Sequence, residues 1–248
     1  LKFNNKQVNL IRENVLSATE FLKENDIIYY LALAPNKHTI YGDKLFTTNY
    51  TGETKKTQVH DALSINNLKI IDLGKGFNEI KEQLFFKTNT HWNDLGAYYG
   101  YKNLMEPIKR EFKYIKSVSL KELDIITKIS WKEDLTNMLD ISIKEIGEYY
   151  TVKNPKSHKI KSRLTIPDNY PRKPETYERR YKSNSNELKV LIFRDSFSTA
   201  MEKYLAESFG ETVFIWSSII DKKLIKKEKP DLVIHEIIER NIDVLLNF

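Results

Sequence analysis

The feature that most constrains this chain is a set of short, nearly unbroken apolar runs. They read "DIIYYLALAP" (26–35), "LKIIDLG" (68–74), "LKVLIFR" (188–194), "TVFIW" (212–216) and "DLVIHEI" (231–237). A strand with one wet face alternates apolar and polar residues, whereas a run without polar interruption is buried on both faces. Helical patterns separate the runs. Residues 5–24 place Val8, Ile11, Val15, Phe21 and Leu22 near one stripe, and a helix is expected over Asn78–Leu84. Another opens with Asn93 as N-cap and Asp94 in its first turn, with Leu95, Tyr98, Tyr99 and Met105 on one face. Helices are also expected over Ser198–Phe209 and Asp221–Lys227, with a helical tail at the end. Strands alternating with helices imply βαβ units, hence an α/β fold with a mostly parallel sheet covered on both sides. The length suits one domain over 1–248. Residues 113–185 break the rhythm and read as a helical insertion followed by loops, with room for a hairpin.

Composition removes several classes of function. There is no cysteine, so disulfides, thiolate metal sites and a cysteine nucleophile are excluded. The lack of cysteine also suits a protein exposed outside the cell. The longest apolar run, Ile27–Ala34, has eight residues, against the roughly 20 of a membrane helix. The sequence opens on Leu1 rather than Met, which raises the expectation of a preceding N-terminal anchor or signal. The net charge of +6 is concentrated in Lys153–Lys182, which alone carries +7. Such a segment reads either as a solvated, mobile loop or as a patch for an anionic polymer such as an acidic glycan or nucleic acid.

In open parallel sheets, reactive groups gather at the carboxyl ends of strands. Arg194, Asp195 and Ser196 stand at such an end. A serine hydroxyl is a weak nucleophile until a base, most often histidine, takes its proton. Of the five histidines, His38, His60 and His158 lie in polar surroundings, and His235 sits inside a strand as a core residue would. His91 differs: it lies in "KTNTHWND", just before the Asn93 cap, where a loop can present an imidazole to a neighbouring strand end. Ser196 and His91 are therefore the candidate pair. The competing reading is a polar strand end and a packed loop.

The stretches "FFKTNTHWNDLGAYYGY" and "LIFRDSFSTAM" together resemble the SGNH-hydrolase-like domain of the alginate O-acetyltransferase family, which includes the related DHHW proteins. "APNKHTIYGDKL" is similar to that family's early loop, and "KPDLVIHEIIERNI" to its final strand. The four stretches keep the family's order across nearly the whole chain.

The resemblance implies an α/β/α sandwich with a circularly permuted motif order, the histidine preceding the serine. It also implies an extracellular or periplasmic, membrane-associated enzyme that moves acetyl groups onto polysaccharide hydroxyls. Ser196 would be the nucleophile and His91 the base. The family's acidic residue stands two positions before its histidine, where this chain has Asn89. An asparagine can fix the imidazole tautomer but brings no negative charge, so Asp195, Glu236 or Glu239 would have to supply one, or the site would run weakly. Asn36 is the candidate oxyanion donor, and Tyr41, Trp92 and Arg194 would line an acceptor groove. Glu239 and Arg240 resemble a pair in the family. No metal or cofactor is implied. The expected partners are a polysaccharide acceptor and a membrane acyltransferase that supplies acetyl groups; no nucleic-acid recognition motif accompanies the basic segment. A polysaccharide acetylesterase and a catalytically impaired glycan-binding domain are the alternatives.

Overall fold

The structure, a computed structural model, describes residues 2–44, 53–64, 68–130 and 134–247. Among them are strands β1 (Ile28–Ala34), β2 (Ile70–Asp72), β3 (Leu123–Ser130), β4 (Glu145–Val152), β5 (His158–Ile160), β6 (Glu178–Lys182), β7 (Lys189–Arg194), β8 (Glu211–Trp216) and β9 (Leu232–Ile238). The helices are α1 (Asn5–Lys23), α2 (Lys37–Ile40), α3 (Lys55–Ser64), α4 (Asp94–Glu111), α5 (Asp134–Met138), α6 (Glu202–Ser208) and α7 (Lys222–Glu228). No described helix is long and apolar enough to cross a membrane.

Seven strands form one sheet in the order β2-β1-β9-β7-β8-β6-β5. The first five are mutually parallel; at one edge β6 pairs antiparallel with β8, and β5 pairs antiparallel with β6. The apolar runs sort by parity, as pleating requires. In β1, Tyr30, Ala32 and Ala34 face one core, whereas Tyr29, Leu31 and Leu33 face the other. In β7, Val190 and Ile192 face the first and Leu191 and Phe193 the second. The first core is closed by α4 and α6, with Tyr101, Leu104, Tyr204 and Leu205 fully buried. The second is closed by α1, α3 and the C-terminal 3-10 segment Glu239–Asn247, through Ile11, Val15, Val59 and Ile242. The result is an α/β/α sandwich.

Local signals set where the helices begin. The Asn4 side chain accepts from Gln7 N–H while the Gln7 side chain accepts from Asn4 N–H, each at 3.0 Å, a capping box that starts α1. Asn93 caps α4 by accepting from Gly96 N–H at 2.9 Å. Position 96 must be glycine: a Cβ there would stand 2.2 Å from the Leu84 carbonyl oxygen.

Three expectations are corrected. Asn78–Leu84 is not a helix: a 3-10 turn at Phe77–Glu79 gives way to extended chain. Leu84 and Phe85 are both buried, and the Leu84 backbone bonds to Tyr41 Oη and Asn93 N–H, which an extended strand allows. Ser198–Phe209 is divided into a 3-10 turn, Phe197–Ala200, and α6. The described residues of 113–185 hold no long helical insertion; they form the antiparallel hairpin β3–β4, for which the sequence left room, the short α5 and the edge strands β5 and β6. Within the basic segment, Arg180 is wholly buried and bonded to Glu178, Glu211 and Glu228, so that part of the segment is structural.

Candidate active site

Strands β1, β9 and β7 run parallel side by side, so their C-terminal ends, carrying Asn36, Glu239 and Ser196 respectively, share one edge of the sheet. The turn after β7 is locked by buried carboxylates. Asp195 accepts from Phe197 N–H at 2.9 Å and from Ile238 N–H at 2.8 Å. Glu236 accepts from Asp195 N–H at 3.1 Å and from the Ser198 hydroxyl at 2.8 Å. Burial raises the Asp195 carboxyl above the usual range against these two N–H bonds. Burial, then the charge of Asp195, pushes Glu236 well up. Ser196, half-buried, emerges from this brace at the start of the 3-10 turn.

His91 comes from the loop between Phe85 and Trp92, the two ends of which pair in a single β-bridge. The loop is clamped by three charged side chains from distant parts of the chain. The Lys37 ammonium donates to the carbonyls of Phe86, Lys87 and Asn89 at 2.7, 3.0 and 3.2 Å. Glu145, at the start of β4, accepts from Lys87 N–H at 2.6 Å, from Thr88 N–H at 2.8 Å and from the Thr88 hydroxyl. Burial drives Glu145 upward, but these bonds outweigh it and leave its carboxyl below the usual range. Asp134 accepts from Thr90 N–H at 2.8 Å and from the Thr90 hydroxyl, and Leu135 N–H donates to Thr88 O at 3.1 Å.

The clamped loop aims His91 at Ser196, with Nε2 2.7 Å from Ser196 Oγ. On the other side of the ring, Nδ1 lies 2.7 Å from Asn89 Oδ1, which also accepts from His91 backbone N–H at 2.9 Å. That second bond identifies the facing atom as the amide oxygen, so Nδ1 must carry the proton and Nε2 is left as an acceptor for the serine hydroxyl. Phe197 stacks on the imidazole with ring centroids 4.9 Å apart. A cleft of about 550 Å³ opens beside the pair, lined by Phe86, Lys128, Tyr149, Thr199 and Lys203. No residue of 153–182 lines it, although Thr151, just before the basic segment, does.

Other expected site residues are placed differently. Arg194 lines no groove: it is fully buried, donates to Asp195 O and Thr199 Oγ1, and lies 3.1 Å from Glu202 and over Trp216. It is a strut for the turn. Tyr41 accepts from Leu84 N–H at 2.9 Å and packs edge-on against Phe85, on a cavity that does not include Ser196. Trp92 is 2% exposed and donates its indole N–H to Phe197 O, so it floors the site rather than offering a face for stacking. Asn36 is buried at the shared edge, its N–H donating to Glu239 Oε2 at 3.0 Å. Glu239 also accepts from Thr39, and Glu236 and Asp195 are committed to the turn, while Arg240 lies over the Phe197 ring. Among the described residues, a carboxylate that does face the far side of His91 is that of Asp134, with Oδ2 3.7 Å from Nδ1. Nothing in the sequence pointed to it. Among the described residues no cluster of histidine and acidic side chains could hold a metal ion.

The sheet order, the layers and the serine at the strand edge define an SGNH hydrolase-like domain. The chain belongs to the family of the SGNH hydrolase-like domain of acetyltransferase AlgX, whose profile matches residues 4–157, a span that includes His91 and ends before Ser196. Bacillus cereus PatB1, solved as a sulfonyl adduct, superposes with a TM-score of 0.75 at 21% identity over 98% of this chain and 90% of its own. A DHHW family protein from Eubacterium siraeum gives 0.72 at 15% identity over 100% and 90%. The O-acetyltransferase domain of Pseudomonas putida AlgJ gives 0.60 at 18% identity over 96% and 83%. At these identities the structures bear on the fold alone. A search of curated proteins found no match.

Proposed function

We propose that this protein is a serine-dependent O-acetyltransferase acting on polysaccharide hydroxyls outside the cytoplasm. The observation that carries the reading is the 2.7 Å contact between His91 Nε2 and Ser196 Oγ, with the tautomer fixed by Asn89. His91 takes the Ser196 proton as the oxygen attacks the carbonyl carbon of an acetyl donor. The tetrahedral oxyanion is held by backbone N–H groups, that of Ser196 among them, with Asn36 as the side-chain candidate. The C–O or C–S bond to the donor's leaving group breaks, and His91 returns the proton to that group. An acetyl-serine remains. A sugar hydroxyl then enters, gives its proton to the same imidazole and attacks, and collapse of the second tetrahedral species frees Ser196 and the acetylated sugar. The family and the AlgJ domain named an O-acetyltransferase support the reaction class. A membrane acyltransferase as donor partner and a membrane-associated location belong to the same proposal. An acetylesterase would share every step except the last acceptor, water instead of sugar.

The test uses an activated aryl acetate as donor. The protein should gain the mass of one acetyl group, on Ser196 by peptide mapping. An oligosaccharide acceptor should speed the loss of this adduct and appear as an acetylated sugar. Ser196→Ala and His91→Gln should form no adduct. An adduct that discharges to acetate at a rate indifferent to glycan assigns the esterase reaction. If no donor acylates the protein, or Ser196→Ala is labelled equally, the serine mechanism is wrong.

A further inference from the structure

We infer that Asp134 is a positioning residue that supplies the negative charge absent from Asn89 to the His91 imidazolium. This inference rests on the serine mechanism proposed above. Two functions that one aspartate usually combines are divided here. Asn89 Oδ1 accepts the Nδ1 proton at 2.7 Å and so fixes the tautomer and the ring angle. In the well-studied serine proteases, exchanging the triad aspartate for asparagine lowers turnover about 10⁴-fold by imposing the wrong tautomer. That defect does not arise here, because the amide oxygen is oriented by His91 backbone N–H. What Asn89 cannot do is offset the positive charge that forms as His91 takes the serine proton.

Asp134 stands where that offset is needed. Its Oδ2 lies 3.7 Å from Nδ1, too long for a hydrogen bond and short enough for a strong Coulomb interaction. It is held there by the N–H and hydroxyl of Thr90, the residue next to His91, and by the docking of Leu135 N–H on Thr88 O. The other described charges around the loop are placed differently. Lys37 and Glu145 clamp the same backbone with opposite signs, and Lys37 also feels the charge of Asp134. Asp195 also senses His91, but from within the turn after β7, where its two oxygens accept from Phe197 and Ile238 N–H. Arg240, over the Phe197 ring, adds positive charge on that side. Among the described residues, Asp134 is the carboxylate that stands beside Nδ1 to balance the imidazolium.

The effect is modest by triad standards, because both side chains are about a third exposed, His91 at 30% and Asp134 at 35%, and water screens the pair. A unit charge at this distance, between water-like and half-buried screening, changes the rate about 10- to 100-fold. The experiment is a four-way comparison of pre-steady-state acylation by an activated aryl acetate: wild type, Asp134→Asn, Asn89→Asp and the double variant. Asparagine at 134 keeps one oxygen for Thr90 N–H, and its amide N–H can donate to the Thr90 hydroxyl oxygen in place of the second contact. Asp134→Asn should acylate about 10- to 100-fold more slowly, and adding Asn89→Asp should restore the rate to the wild-type level or above. In the wild-type background Asn89→Asp should gain less than in the Asp134→Asn background. An Asp134→Asn rate within about twofold of wild type overturns the inference. A slow single variant that Asn89→Asp does not rescue also overturns it, because the residue would then act as scaffold only. Failure of the serine mechanism itself looks different: wild type then acylates no faster than Ser196→Ala.

Discussion

Replacing Lys37 by methionine tests whether the clamp on the His91 loop sets the reactivity of the site. The ammonium donates three hydrogen bonds, at 2.7, 3.0 and 3.2 Å, to the carbonyls of residues 86, 87 and 89. Burial lowers its affinity for a proton, while the charges of Glu145 and Asp134 act to keep it protonated. A hydrogen bond to a charged group contributes about 1.5–3 kcal/mol when buried. Lys37 is only half-buried, and water replaces part of what is lost, so the net cost is set at about 2–3 kcal/mol rather than the sum. For a chain of this size each kcal/mol lowers Tm by about 2–4 °C, giving a drop of roughly 4–12 °C. The functional loss should be larger in proportion. Methionine fills the space but leaves the Asn89 carbonyl without its cation, two residues before the imidazole. A shift of about 1 Å in a reacting group can cost on the order of 10² in rate. The assay is the acylation rate with an activated aryl acetate, measured well below the new Tm, beside thermal unfolding of the same samples. The expected result is acylation about 10- to 100-fold slower in a protein that is still fully folded. Acylation within about threefold of wild type would refute the reasoning, and would mean that Glu145 and Asp134 hold the loop by themselves.

Two further predictions concern stability. Arg180→Met should lower unfolding free energy by about 3–5 kcal/mol in denaturant titrations at neutral pH, because it strands Glu178 and Glu228 next to Glu211 with no guanidinium between them; a loss under about 1 kcal/mol would show that Lys189, 2.7 Å from Glu228, suffices. His235 is buried, with Nε2 3.0 Å from Ser218 O and Tyr29 Oη at Nδ1, and burial lowers its pKa from 6.5 to about 4. As pH falls below 6.5 the unfolded chain binds this proton first, so stability is full above that value and declines toward pH 4, by about 3 kcal/mol from this group. His235→Asn should flatten that part of the pH–stability curve, and a slope identical to wild type between pH 6.5 and 4 would sink the assignment.

The five parallel strands were legible because their residues face apolar surroundings on both sides, which leaves little freedom in composition. Val190–Phe193 and Leu232–Ile234 could hardly be anything else once helices flank them. Ser196 and His91 were legible for a different reason: a hydroxyl at a strand end and an imidazole at a helix entrance are chemically conspicuous whatever the fold. Residues whose role depends on a partner far along the chain were not legible. Arg194 was read as a groove residue because nothing local announces that Glu202 and Trp216 will enclose it. The stretch before His91 was read as a helix because its spacing allowed one; the buried pair Leu84–Phe85 and the hydroxyl of Tyr41 draw it out into an extended chain instead.

The same separation explains why an asparagine at position 89 says little about the site's competence. Read locally, "NTH" lacks a charge. In space, the loop that holds it is bounded by Lys37 from the start of α2, Asp134 from α5 and Glu145 from β4, so charges around His91 come from residues 43 to 54 positions away in sequence. A substitution that removes charge next to the histidine can be offset by any of these elements without touching the motif. An inspection of motif residues alone would class such a chain as impaired. The relevant quantity is the charge within a few ångströms of Nδ1, and here the carboxylate at 3.7 Å belongs to a residue that no motif contains.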